Sequence, residues 1–164
     1  MIPRLLSFLA SFLIFSADRA TKFYIDSNFS LWDTYPVIPG FFNIIHSENR
    51  GMAFSLLAGS QSPWRDFLLM GVSSAVLVVV AVMLFRAVNN FQRVALALVF
   101  GGALGNLYDR IIRGSVTDFL DFYVGAYHWP TFNIADAAIT CGAILLALEI
   151  LGWAPSKVPT PKES

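Results

Sequence analysis

The feature that most constrains this chain is a stretch with no charge in it: the nineteen residues from Phe67 to Phe85, between Asp66 and Arg86, contain no Asp, Glu, Lys, Arg or His. At 1.5 Å per residue such a helix is roughly 28 Å long, the thickness of a bilayer's hydrocarbon core. Three further apolar segments surround it, Ile2 to about Tyr24, Val94 to Ile112 and Phe132 to Ala154, each carrying some charge. A secretory signal competes for Leu5 to Ala17, but the apolar character resumes at Phe23, Tyr24 and Ile25, which favours a retained helix. With 56% hydrophobic and 13% charged residues, against roughly a quarter charged in a soluble domain, the expected fold is an all-α membrane protein. It has four transmembrane helices, about 2–24, 67–85, 94–112 and 132–154, in one domain over 1–154, with a tail over 155–164.

Eleven Lys and Arg balance eleven Asp and Glu, so no charge excess calls for a nucleic acid. Cys141 is the one cysteine, which excludes intrachain disulfides and cysteine-based zinc sites. Topology follows from the basic residues. The two tails and the loop 86–93 hold Arg4, Arg86, Arg93, Lys157 and Lys162, whereas the longer segments 26–66 and 113–131 hold only Arg50, Arg65 and Arg113. The positive-inside rule therefore puts both termini in the cytoplasm. Val37-Ile38, Pro39-Gly40 and Phe41 to Ile45 read as apolar β stretches around a turn, a small extracytoplasmic β element over about 28–60 lying on the membrane surface.

Ionisable groups inside spans are expensive, and each is a functional hypothesis by default. With the termini inside, Asp18 and Lys22 fall at the outer end of the first span, and Asn106, Asp109 and Arg110 at the outer end of the third. Asn133 and Asp136 fall at the outer end of the fourth, and Asp118 in the connection between the last two. Only Glu149 is left near the inner surface. Helical spacing puts Asn106, Asp109 and Arg110 on one side, does the same for Asn133, Asp136 and Thr140, and makes Asp18 and Lys22 an i,i+4 pair. Alone, that pair reads as a local salt bridge; beside six other polar groups at one depth, a functional cluster is the better reading. The small residues of Gly101-Gly102-Ala103-Leu104-Gly105 permit close helix approach, which would bring the neighbouring polar groups against the first and fourth spans. Arg110 beside Asp109 is expected to keep that acid ionised and structural.

Two carboxylates at a partly dry interface can share one proton, so that one takes a proton from water while the other gives one to a peptide carbonyl. Asp118 and Asp136 could form such a pair, needing neither metal nor covalent nucleophile. There is no H-E-x-x-H, Gly71-Val72-Ser73-Ser74 is not a G-x-S-x-G elbow, and His46 and His128 stand isolated. Spacing alone does not secure the pair.

Asn49-Arg50-Gly51-Met52-Ala53-Phe54, Gly101 to Arg110, Val116-Thr117-Asp118-Phe119 and Phe132-Asn133-Ile134-Ala135-Asp136, with Asp18 to Lys22 before them, stand in an order and spacing that resembles bacterial lipoprotein signal peptidase (signal peptidase II) over about Asp18 to Leu148. The resemblance implies a cofactor-free aspartyl endopeptidase of the bacterial cytoplasmic (inner) membrane. Such an enzyme removes the signal peptide of a prolipoprotein just before a diacylglyceryl-modified cysteine. It also implies inhibition by globomycin-type cyclic peptides, Asp118 and Asp136 as the catalytic pair, and Asp18, Lys22, Asn49, Gly51, Asn106, Asp109, Arg110, Asn133 and Ala135 as site-shaping residues. Arg50 and Met52 are minor departures from the family pattern. The outer-leaflet depth of the cluster suits a substrate that brings its own lipid. The rival readings are a small proton-coupled transporter using the same carboxylates, which would need polar access from both faces, and a structural subunit whose polar residues lock helices together.

Asp121, three residues after Asp118, is separated from it by backbone geometry. A helix would put both acids on one face, an extended chain on opposite faces, and the β-branched Val116 and Thr117 after Gly114 favour the extended form.

Overall fold

The computed structural model describes residues 4–51 and 63–153; Met52, Ala53 and Phe54 and the tail 155–164 lie outside the described residues. Four helices are present, α1 (Arg4–Asn28), α2 (Pro63–Arg86), α3 (Asn90–Arg113) and α4 (Ile134–Ile150). Between them run four strands, β1 (Thr34–Ile38), β2 (Phe42–Asn49), β3 (Val116–Val124) and β4 (Tyr127–His128). Among the described residues two helices are long and apolar enough to cross a membrane, Phe67–Arg86 with mean hydropathy 2.7 and Asn90–Arg113 with 1.3.

The helix boundaries are chemically marked. Asn89 caps α3 by accepting from the Gln92 N–H, and Gly114 ends it in the left-handed conformation, its N–H donating to the Arg110 carbonyl. Asn133 and Asp136 form a capping box at the start of α4, each side chain accepting from the other's backbone N–H. Helix α3 is the hub and packs on the other three. Its glycines explain how closely. A Cβ at Gly101 would lie 2.6 Å from the Ser11 carbonyl of α1, one at Gly102 would strike the Ala135 carbonyl of α4, and one at Gly105 would strike the Asp18 carboxylate. Ser11 adds a hydrogen bond from its Oγ to the Ala97 carbonyl at 3.0 Å.

Polarity is inverted relative to a soluble bundle. Phe12, Leu13, Phe23, Phe67, Val78 and Val79 point outward and are exposed, whereas Asp18, Lys22 and Asp109 are fully buried. Water would penalise that surface heavily; hydrocarbon would not.

The sheet is antiparallel in the order β1-β2-β3-β4. The β1–β2 hairpin turns at Pro39 and Gly40, the latter at φ 82°, and Pro36 is tolerated because β1 is an edge strand. The β element expected from residues 28–60 alone is only half of this sheet. The other half comes from the connection between α3 and α4, where β3 pairs with β2 in a register that sets Ser47 opposite Asp118 and Asn43 opposite Asp121. Beyond β4 the chain bridges back to β3 through Leu120 and Phe132 and enters α4.

Candidate active site

Where the sheet meets the C-terminal ends of α1 and α3 and the N-terminal end of α4, every proposed site residue is assembled. Asp118 projects from β3 and is 1% exposed. Its Oδ1 accepts from Asn133 Nδ2 at 2.7 Å and its Oδ2 from Asn49 Nδ2 at 3.0 Å. Asp136, on the first turn of α4 and half-buried, accepts from Asn106 Nδ2 at 2.7 Å through Oδ1 and from the Asn133 backbone N–H at 3.3 Å through Oδ2. Asn133 therefore touches both carboxylates, one with its side chain and the other with its main chain.

The three asparagines are held in one orientation each, because their carbonyl oxygens are committed elsewhere. Asn49 Oδ1 accepts from the Gly51 N–H at 2.8 Å, in a turn where Gly51 takes φ 82°, which glycine adopts without strain. Asn106 Oδ1 accepts from the Lys22 ammonium at 3.0 Å, and Asn133 Oδ1 from the Asp136 N–H at 2.9 Å. An ammonium and a backbone N–H are donors only, so each amide must turn its NH2 toward an aspartate.

Burial pushes Asp118 up from the ordinary 3.8 to about 6, the neighbouring Asp136 charge pushes the same way, and the hydrogen bonds from Asn49 and Asn133 oppose them. An acid so placed keeps its proton up to about pH 6, well above the ordinary carboxylate range, and can give it up.

Beneath the pair lies a buried ionic layer. Lys22 Nζ is 2.8 Å from Asp18 Oδ2 and 2.8 Å from Asp109 Oδ2, and all three side chains are excluded from solvent. Asp18 Oδ1 accepts from the Ala135 N–H at 3.0 Å, tying α1 to the first turn of α4. The partner expected for Asp109 is corrected here: Arg19 and Lys22 bind it, not Arg110. Consecutive residues on a helix diverge by about 100° and do not face each other, so Arg110 makes no ion pair with Asp109 but donates to the Asn106 carbonyl at 3.3 Å, its charge acting on Asp136 and Asp118 as well as on Asp109. Thr140 is exposed and stands apart from the site.

The structure adds residues that spacing did not single out. Arg19 ion-pairs with Asp109 and lies 4.6 Å over the Tyr108 ring. Thr117 donates to Asp26 at 3.0 Å and accepts from Arg113 at 2.9 Å, while its carbonyl accepts from Asn133. Position directly beside Asp18 and Asp118 was the available signal for both. Asp121 sits in an extended strand, as expected, and its partners are Asn43 Nδ2 and His128 Nδ1, each at 2.8 Å, rather than the pair. Among the described residues no group of three or more His, Cys, Asp or Glu side chains is placed to hold a metal ion.

The profile of the signal peptidase (SPase) II family matches residues 10–152. A lipoprotein signal peptidase of Solibacter usitatus is 49% identical over 142 residues, covering 85% of this chain and 86% of its own. One of Syntrophus aciditrophicus is 42% identical over 154 residues, covering 91% and 94%. Among solved structures, a bacterial membrane enzyme determined by the in meso method at 2.3 Å superposes with a TM-score of 0.80 at 31% identity, over 96% of this chain and 94% of that one.

Proposed function

The chain belongs to the signal peptidase II family, and on that premise we propose that Asp118 and Asp136 are its catalytic pair. Membership makes the protein a lipoprotein signal peptidase, an aspartic-type protease whose substrates are prolipoproteins; nothing in the comparisons supports the transporter alternative. The observation that carries the assignment of the pair is Asn133, which holds one carboxylate by its side chain and the other by its main chain.

In the proposed reaction Asp118 begins protonated and Asp136 ionised. Asp136 takes a proton from water as the water oxygen bonds to the scissile carbonyl carbon, and Asp118 donates its proton to the carbonyl oxygen, leaving a neutral gem-diol. The gem-diol then returns one hydroxyl proton to Asp118 while Asp136 protonates the departing nitrogen. The C–N bond breaks and the pair is restored. Asn49, Asn106 and Asn133 keep the two carboxylates in place, and Asp18, Lys22, Asp109, Arg110, Gly51 and Ala135 hold the asparagines and helix ends that do so.

The substrate bond is the one before a diacylglyceryl-modified cysteine, and globomycin-type cyclic peptides compete for the same site. All four helices span the cytoplasmic membrane as one domain over 1–154, with both termini and the tail 155–164 cytoplasmic and the site near the outer leaflet. The inverted polarity of the bundle and the internal pairing of α1's charges support this reading. Incubation of purified Asp118→Asn and Asp136→Asn with a lipidated precursor tests the pair: each should be folded and without turnover, and the double variant no worse than either single one. Full cleavage by either variant would sink the assignment.

A further inference from the structure

Behind β3, on the side away from Asp118, lies a cavity of about 500 Å3 between the outer end of α1 and the sheet. That volume is within the range of pockets that hold a ligand of some tens of atoms. Thr21 and Tyr24 of α1, Phe29, Tyr35 of β1, Ile44 of β2 and Phe119 of β3 are among its walls. Phe119 follows Asp118 directly in the chain, but neither Asp118 nor Asp136 contributes to the lining, so the cavity is separate from the proposed catalytic pair. Thr117, on the Phe119 side, reaches Asp26 at the end of α1, which confirms which face looks toward that helix.

The lining is mostly apolar, its side-chain polar groups being the hydroxyls of Thr21, Tyr24 and Tyr35. No charged side chain contributes to it, and the Thr21 hydroxyl is spent on its own helix, on the Ala17 and Asp18 carbonyls at 2.9 Å each. A peptide occupant would bring an N–H and a C=O at every residue, more than two phenol hydroxyls can satisfy, at several kcal/mol for each left unpaired. An alkyl chain brings none. The mouth also runs without interruption into the surface that faces hydrocarbon on the membrane reading: β1 is exposed along its whole length, and Tyr35, Tyr24 and Phe23 continue the apolar strip onto α1.

We propose that this cavity binds one acyl chain of a bilayer phospholipid of the outer leaflet, which packs β1 and β2 against α1. The proposal rests on the membrane reading above. The substrate's own lipid is the less favoured source, because it is attached next to the bond cut on the Asp118 face and β3 stands between.

The test uses the enzyme in nanodiscs of phosphatidylcholine bearing a photoreactive diazirine at mid-chain, without substrate, followed by peptide mapping of adducts. Adducts on Tyr35, Ile44 and Phe119 are expected, falling about tenfold in Thr21→Trp, which fills the cavity from α1, and in Val37→Trp, which fills it from β1; tenfold corresponds to about 1.4 kcal/mol of chain binding. Adducts confined to the outward faces of α1 and α2, or equal labelling of Ile44 in both filled variants, would overturn it. A second arm places the diazirine on the diacylglyceryl group of a precursor in unlabelled discs; labelling of these residues in that arm alone would overturn the assignment to bilayer lipid. Precursor cleavage in the same discs separates the outcomes: cleavage without cavity adducts refutes the lipid site and leaves the peptidase intact, whereas loss of cleavage in the unsubstituted protein would strike the functional reading itself.

Discussion

Replacing Lys22 with methionine keeps the volume of the side chain and removes the one cation that Asp18 Oδ2 and Asp109 Oδ2 face at 2.8 Å. Both oxygens are buried and have no other hydrogen-bond partner. Before the change the layer holds two carboxylates, Lys22 and Arg19, and its formal charge is zero; afterwards it is minus one, with both carboxylates excluded from solvent. Removing one partner of a buried ion pair costs about 3–5 kcal/mol, or roughly two to three and a half decades in the folding equilibrium. Because the deficit is one negative charge, Asp18→Asn should repair it: Asp109 keeps Arg19, and the new amide oxygen can still accept from the Ala135 N–H. Unfolding in mixed micelles should therefore find Lys22→Met about 3–5 kcal/mol less stable than the unsubstituted protein, and Lys22→Met/Asp18→Asn at least about 2 kcal/mol more stable than Lys22→Met alone. Additive losses, with the double variant the least stable of the set, would show that charge balance is not what holds this layer.

Asp121→Asn should keep a substantial part of the activity on lipidated precursor while Asp118→Asn keeps essentially none, and the reverse ranking would mean that the wrong acid of β3 has been chosen. Since burial and the Asp136 charge raise Asp118 to about 6 and the proposed reaction needs its proton, kcat/KM should fall as pH rises through about 6. Asn49→Ala removes a hydrogen bond that favours the carboxylate, so its alkaline limb should move to higher pH; a downward move contradicts the role given to Asn49. Gly102→Val presses a branched side chain onto the Ala135 carbonyl and should lower stability by about 1–3 kcal/mol or more in the same unfolding assay, with neutrality arguing against the tight α3–α4 contact. Labelling of an Asn90→Cys variant by an impermeant reagent from outside intact cells would refute the cytoplasmic placement of the 86–93 loop.

What could be read from the chain, and what could not, divides along sequence separation. Phe67 to Phe85 announces α2 because nothing in it interrupts the apolar run, and Asp18 with Lys22 announces itself by i,i+4 spacing. Pro39-Gly40 between apolar stretches was enough for the β1–β2 hairpin. The pairing of β3 with β2 was not legible: Ser47 and Asp118 are brought together by two intervening helices, and no local pattern encodes that register. The extended state of Val116 to Val124 was readable from its β-branched start, though its place in the sheet was not. Assigning Arg110 to Asp109 favoured adjacency along the chain over direction around the helix, and the correct cation, Arg19, lies on another helix altogether.

The start of α4 does two jobs with the same atoms, because Asp136 is both a member of the proposed reacting pair and the capping-box residue that closes the first turn. Helix nucleation and assembly of the protease are then a single event. On that proposal a nascent or truncated chain that ends before α4 holds Asp118 without Asp136, half of a proton-exchanging pair and no peptidase. Activity would then be switched on only when the last helix winds from Asn133 and docks on Gly102 and Gly105, so that quality control of the fold is quality control of the catalyst.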